Sequence, residues 1–341
     1  MSPCTMKLLV SSLVATAILA LQWVAGFAMA QATSEPNAND DAKPPVNVKQ
    51  AANALANPQP TLANVAYGED PAQVLDFWKA ESSTPTPLVF FIHGGGWYRA
   101  SKDSVVHVRR YLAAGISVVS IEYRFVPAAK AAGIEPPVKW PLHDAARALQ
   151  FVRSKAGEWN IDKTRIGASG GSAGGCSSLW LAFHDDMADP GSSDPIARES
   201  TRLMCASVFV AQTSLDPQQM KEWIPNIEYG GHAFGFGDPE KKRYEFAEFL
   251  QNREKILPWI QEYSPYAHVT SDDPPVYLCY KRPPAVGQKQ KDPTHSANFG
   301  AKLQEKLQSV GVACELVYPD ASDIKHPDEA AYLIDQLIAK P

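Results

Sequence analysis

The sequence predicts an α/β fold, in which a mostly parallel central sheet carries helices on both faces. Residues 88–92 are all apolar and residues 116–123 mainly so, which is typical of strands that are covered on both sides. Between the strands, apolar residues recur at helical spacing, as they do at Ala145, Ala148, Leu149 and Val152. Because strands and helices alternate, right-handed crossovers should place the strands side by side in one sheet.

The order of elements follows from the residues that interrupt the apolar runs. Strands at 65–67 and 74–78 are separated by a turn from Gly68 to Pro71, and a helix over 104–114 ends at Gly115. A proline-rich loop is expected over 127–141. Further strands are predicted at 165–169, 203–211, 276–280 and 314–318, and further helices at 173–183, 297–310 and 329–339.

The chain of 341 residues divides into three parts. Residues 1–30 have a short apolar core and a small-x-small end at Ala28-Met29-Ala30, which predicts a secretory signal peptide; a retained N-terminal anchor is the alternative. Residues 31–62 are rich in Ala, Asn, Pro and Gln, and such a segment buries too little apolar surface to order itself. Residues 63–341 then form one domain. The protein is expected to be exported, to the periplasm or the extracellular space, with no stable membrane span after signal cleavage.

Residues 213–263 form the least regular part of the domain. They combine several aromatic residues with scattered glycines: Trp223, Tyr229, Phe234, Phe236, Trp259 and Tyr263 with Gly230, Gly231, Gly235 and Gly237. One hypothesis is a cap insertion over a substrate cleft, hinged at the glycines. The alternative is an accessory helical insertion whose aromatic rings pack against the sheet.

Composition excludes some classes of function. The net charge is −5, and no basic stripe with interleaved aromatic residues occurs, so nucleic acid is not an expected partner. The five cysteines include no Cys-x-x-Cys pair and no Cys/His cluster, so neither a metal nor a cofactor is expected. The cysteines of the domain are expected to be free thiols. The oligomeric state is left open by the sequence.

Two glycine motifs carry the chemistry. Gly170-Gly171-Ser172-Ala173-Gly174 lies between a predicted strand and a predicted helix, where it can present the Ser172 hydroxyl on a tight turn. A phosphate-binding loop is the alternative, but it would require Gly-Lys-Ser/Thr. His93-Gly94-Gly95-Gly96-Trp97 directly follows the strand at 88–92, and its backbone N–H groups can face a developing oxyanion. Together the motifs predict acyl transfer.

These motifs resemble those of the α/β-hydrolase superfamily, in particular the hormone-sensitive-lipase-like carboxylesterases and the secreted esterases that resemble feruloyl and acetylxylan esterases. The Val-Ala-Tyr-Gly opening at 65–68 and the Glu-Tyr-Arg run at 122–124 are similar as well. The resemblance implies Ser172 as nucleophile and Gly95, Gly96 and Ala173 as oxyanion donors. It implies that His93 braces its loop. Trp97 is expected either to line the substrate pocket or to be a core residue.

The resemblance also implies the triad order Ser, Asp/Glu, His. Among the late histidines His232, His268, His295 and His326, only His326 falls between the last strand and the last helix, so it is predicted to be the base. Asp292 is predicted to be the acid because it is the only carboxylate between Lys281 and Ser296, with Asp323 as the alternative. His295 is expected to brace the loop.

The function that follows is a secreted serine carboxylesterase that hydrolyses carboxylic esters through an acyl-enzyme on Ser172, without metal or cofactor. Its substrate is a small-molecule or carbohydrate ester, and fold analogy suggests acetyl or feruloyl esters of polysaccharides. Two alternatives remain open: a serine peptidase of the prolyl-oligopeptidase kind, and a non-catalytic binding protein that uses the same cleft.

Overall fold

The computed structural model describes residues 57–238 and 240–339. The predicted signal peptide and most of the predicted tail lie outside these residues. The last tail residues contact the domain, since the Asn57 side chain donates to the Val105 carbonyl at 2.6 Å. The Trp78 indole N–H donates in turn to the carbonyl of Pro58 at 2.8 Å.

One eight-stranded sheet forms the centre of the domain, in the order β1-β2-β4-β3-β5-β6-β7-β8. Strand β2 is antiparallel to both of its neighbours, and all pairs from β4 through β8 are parallel. The mostly parallel sheet predicted from the sequence is therefore confirmed. The strands are β1 Leu62–Ala66, β2 Val74–Trp78, β3 Thr86–Ile92, β4 Ser117–Ile121, β5 Ile161–Gly171, β6 Cys205–Phe209, β7 Val276–Cys279 and β8 Cys314–Val317.

Eleven α-helices are assigned among the described residues. They are α1 Val108–Ala113, α2 Val126–Ala131, α3 Lys139–Ser154, α4 Ala156–Trp159, α5 Ala173–Phe183, α6 Pro217–Trp223, α7 Phe246–Gln251, α8 Leu257–Tyr263, α9 Pro265–His268, α10 Asn298–Ser309 and α11 Glu329–Ile338. The prediction of a loop over 127–141 is wrong in part, because most of α2 and the start of α3 lie within these residues. Their prolines lie near helix N-termini, where a missing N–H breaks no hydrogen bond.

The core is divided by the sheet into two apolar layers, as alternation along β3 shows. Leu88, Phe90 and Ile92 belong to the larger cluster, which α3 and α5 cover. Val89 and Phe91 belong to a second cluster, which α1 and α11 cover. Both faces of β3 are thus buried, which explains why its sequence lacks polar alternation.

The 213–263 segment packs as part of the domain. Trp223, Phe234 and Tyr263 are buried in the larger core cluster, and Tyr229, Phe236 and Trp259 pack against that cluster. Within the segment, Arg253 pairs with Asp216 at 2.7 Å. The backbone N–H of Tyr266, just beyond the segment, donates to the Thr213 carbonyl. This packing is the one expected of an accessory insertion whose aromatic rings are core residues.

Candidate active site

Ser172 occupies the turn between β5 and α5. Its backbone has φ 54° and ψ −121°, a conformation that is strained for a residue with a side chain. Its side chain makes no capping hydrogen bond to α5, although Ser172 is the N-cap residue. The hydroxyl is therefore left to contact another group, and the strained turn lifts it to the carboxyl edge of the sheet.

The group that contacts the hydroxyl is His295. Ser172 Oγ lies 3.1 Å from His295 Nε2, and His295 Nδ1 lies 3.0 Å from Asp292 Oδ2. An Nδ1–H that donates to the carboxylate leaves the Nε2 lone pair facing the serine O–H. This is the arrangement of a nucleophile, a base and a group that orients the base.

His295 and Asp292 both belong to the connection between β7 and α10, and this connection is held in place by several hydrogen bonds. The Gln212 amide donates to the Thr294 carbonyl, and Gln290 exchanges two hydrogen bonds with Asn226, of 2.8 and 2.9 Å. The Asn298 side chain accepts the Ala285 N–H and donates to the Ala285 carbonyl, which ties the loop to the start of α10. These contacts carry a long and basic loop back to Ser172, across the end of β6.

His326, the predicted base, lies elsewhere. Its Nδ1 is 2.6 Å from Glu315 Oε2 and its Nε2 is 3.3 Å from Asp335 Oδ2. Glu315 also accepts the backbone N–H groups of Lys325 and His326, both at 2.9 Å. Because Glu315 is the second residue of β8, these bonds hold the loop beside the edge strand. The structure thus corrects the placement: His295, expected only to brace its loop, occupies the position assigned to His326.

The position of His326 makes a pH-dependent contribution to stability. Partial burial disfavours the charged ring, but the hydrogen bonds to Glu315 and Asp335 outweigh it and raise the pKa of His326. A raised folded-state pKa stabilises the fold fully below the ordinary value of about 6.5 and loses this effect as the pH rises through the raised value.

We therefore expect His326→Gln to lower the free energy of unfolding by about 1 kcal/mol near pH 5.5, and by less near pH 8.5. Urea unfolding of both proteins at the two pH values measures the difference. A larger loss at the alkaline pH would contradict the sign.

Gly95 and Gly96, the predicted oxyanion donors, lie in the loop that follows β3. Both have left-handed backbones, with φ values of 90° and 65°, which glycine adopts without strain. Their N–H groups make no backbone hydrogen bond among the described residues. The preceding Gly94 packs on the nucleophile turn, where an added Cβ would come within 3.6 Å of Ser172 Cβ. The Ala173 N–H, at the start of α5, has no partner within its helix.

His93 supports the loop that carries these glycines. The His93 ring is fully buried, contacts Glu122 at 2.8 Å and stacks on Tyr123 with ring centroids 4.2 Å apart. The Tyr123 hydroxyl lies within hydrogen-bond distance of the carbonyls of both His93 and Gly94. His93 therefore has the bracing position that the resemblance implies.

Trp97 is a core residue. It is 1% exposed, and its indole N–H donates to Ser177 Oγ at 3.0 Å. Of the two roles considered for Trp97, the core position agrees with this burial, and the pocket-lining role does not.

One residue at this site was missed by sequence reasoning. His232 lies in the 213–263 segment, and its Nε2 is 2.9 Å from the carbonyl oxygen of Gly96. The only signal in the sequence is a histidine among glycines and aromatic residues at 229–237, which predicts no particular partner.

The sheet order, the strained serine turn and the glycine loop define the α/β-hydrolase class. The family model BD-FAE matches residues 75–286, more than half of the chain, and the chain belongs to this family.

Curated relatives are named as esterases. Probable carboxylic ester hydrolase LipM of Mycobacterium tuberculosis is 27% identical over 81% of this chain and 60% of its own length. Esterase LipC of the same organism is 32% identical over 33% of this chain and 27% of its own length. The chain thus spans between about a quarter and three fifths of these two relatives.

Solved structures agree with the fold. An acetyl ester-xyloside bifunctional hydrolase from Caldicellulosiruptor lactoaceticus is 25% identical with a TM-score of 0.55, covering 77% of this chain and 85% of that one. A thermophilic esterase from Thermogutta terrifontis has a TM-score of 0.54 at 22% identity over 78% of this chain and 86% of its own. Within the described residues, no helix is both long and apolar enough to cross a membrane.

Proposed function

We propose that the protein is a serine carboxylesterase in which Ser172 is the nucleophile, His295 the general base and Asp292 the group that orients His295. The observation that carries this proposal is the unbroken chain of contacts from Ser172 Oγ through the His295 ring to Asp292, of 3.1 and 3.0 Å. Family membership and the names of the relatives support ester hydrolysis.

In the first half of the reaction, Ser172 Oγ attacks the ester carbonyl carbon while its proton moves to His295 Nε2. The carbonyl oxygen becomes an oxyanion and accepts hydrogen bonds from the N–H groups of Gly95, Gly96 and Ala173. His295 then gives the proton to the ester oxygen, the carbon–oxygen bond breaks, and the alcohol leaves an acyl group on Ser172.

In the second half, water attacks the acyl carbon and gives a proton to His295. The bond to Ser172 Oγ breaks, Oγ takes the proton back, and the carboxylic acid leaves. Asp292 keeps accepting the Nδ1–H bond throughout, which stabilises the imidazolium in both halves.

As substrates we propose acetyl or feruloyl esters of polysaccharides, hydrolysed after export. The Caldicellulosiruptor neighbour is named an acetyl ester-xyloside bifunctional hydrolase, and this supports the acetyl ester. The signal-peptide pattern at 1–30 supports export, which would bring the enzyme to such polymers outside the cytoplasm.

A fluorophosphonate probe tests the acyl-enzyme chemistry. We expect the wild type to be labelled and to hydrolyse p-nitrophenyl acetate, and Ser172→Ala to do neither, because only an activated serine reacts with the probe. Absence of wild-type labelling would favour the binding protein. Labelling with peptide hydrolysis but no ester cleavage would favour the peptidase.

A further inference from the structure

His232 reaches the glycine loop from a distant part of the chain. It lies in a 3₁₀ helix, Gly231–Phe234, and contacts Gly96 across 136 residues of sequence. The side chain is enclosed, with 4% of the residue exposed, and its ring lies against Tyr98 and Tyr229 at centroid distances of 5.9 and 4.8 Å.

The hydrogen bond determines the chemical state of this ring. A carbonyl oxygen only accepts, so Nε2 carries a hydrogen and donates it to Gly96. Burial lowers the pKa of His232 to about 4, and the ring is therefore neutral near pH 7. Nδ1 is left buried without a partner among the described residues.

The same segment confines Gly96 from a second direction. A Cβ added to Gly96 would lie 2.4 Å from the Tyr229 hydroxyl oxygen, so the residue lies closely against that hydroxyl. The next residue, Trp97, has φ 59°, a conformation that persists only where surrounding contacts impose it. Holding the Gly96 carbonyl fixes the orientation of the peptide plane between Gly96 and this strained residue.

We propose that His232 is a positioning residue of the oxyanion hole. By anchoring the Gly96 carbonyl, it keeps the glycine loop in the conformation in which the N–H groups of Gly95 and Gly96 face the reacting carbonyl. The 213–263 segment is then a structural part of the catalytic centre, and its contribution appears in the transition state, where negative charge develops on the carbonyl oxygen. This inference rests on the proposed esterase function.

Two substitutions separate anchoring from packing. His232→Leu places an apolar side chain in the same site and removes the donor, whereas His232→Gln retains an N–H donor near the position of Nε2. Because the loss of one oxyanion donor outright costs about 10²–10³ in kcat, we expect a smaller loss of about 10- to 100-fold in His232→Leu. The KM for p-nitrophenyl acetate should change by less than about two-fold, and His232→Gln should recover most of kcat.

The fluorophosphonate labelling rate should fall in parallel in His232→Leu, because phosphonylation also builds charge on an oxygen in the hole. His268→Leu is the matched control: His268 also contacts a backbone carbonyl through Nε2, that of Glu262 at 2.6 Å. The His268→Leu substitution should leave kcat unchanged. If His232→Leu does not fold, His232→Asn replaces it, since the shorter amide falls short of Gly96.

A kcat within about two-fold of wild type in His232→Leu or His232→Asn would overturn the inference, as would equal losses in the Gln and Leu variants. An increase in KM at unchanged kcat would also overturn it. If the wild type shows no turnover, or turnover that does not require Ser172, the proposed function is wrong and the inference fails with it.

Discussion

His295→Gln is expected to lower kcat for p-nitrophenyl acetate by about 10⁶-fold, which is the scale of loss on removing the base of a serine triad. The glutamine cannot take the Ser172 proton or return it to the leaving alcohol. KM should change little, because the amide still fills the space beside the hydroxyl. Initial rates over a range of substrate concentrations, with fluorophosphonate labelling in parallel, measure both effects.

His326→Gln is the matched control for this prediction, since it removes the histidine that lies between β8 and α11. Its ring is engaged by Glu315 and Asp335, so kcat should stay within about two-fold of wild type. The reverse result, with His326→Gln inactive and His295→Gln active, would mean that the 318–328 loop leaves Glu315 and carries His326 to Ser172 in the working enzyme. Both variants should be compared at a temperature where both are folded.

The fold could be predicted because its strongest signals are local. Strand β3 is apolar along its whole length and is covered on both faces, and α5 begins and ends at the residues that the pattern predicts. The proline-rich stretch was harder to predict, because a proline at a helix start and a proline in a loop look the same in sequence. The two cases are distinguished by contacts in the folded structure, and those contacts come from other helices and strands.

The candidate site shows a different limit. Chain order assigns the base to the loop after the last strand, but it does not say which way that loop turns. Glu315 decides this by accepting two backbone N–H groups and the His326 ring. An acidic residue inside a short edge strand was the available signal. Its effect depends on a turn that brings residue 326 back beside residue 315.

The partners of His295 and His232 could not be predicted from the sequence, for related reasons. The short spacing between Asp292 and His295 is typical of a loop-bracing pair, and only the anchors from Gln212 and Asn226 bring this pair to Ser172. His232 acts through the Gly96 carbonyl, and nothing near His232 in sequence identifies that partner. Contacts between distant segments are thus what sequence patterns do not predict here.

Gly174→Ala is expected to lower the free energy of unfolding by about 3 kcal/mol, at the upper end of the usual cost of overpacking a core. An added Cβ would lie 2.1 Å from the Ile92 carbonyl oxygen and 2.6 Å from that of His93. Both atoms belong to the backbone at the end of β3, so α5 must move away from the sheet. Thermal unfolding should show a midpoint lower by roughly 6–12 °C.

Gly157→Ala provides the matched control, because Gly157 lies in α4 with no atom within 4 Å of the added Cβ. There the substitution should be neutral or stabilise the fold by up to about 1 kcal/mol, since alanine has the better helix propensity. The movement forced by Gly174→Ala also shifts the Ala173 N–H and the Ser172 turn, so kcat should fall even in the folded fraction. A midpoint equal to that of Gly157→Ala would show that β3 and α5 do not pack as closely as the 2.1 Å contact requires.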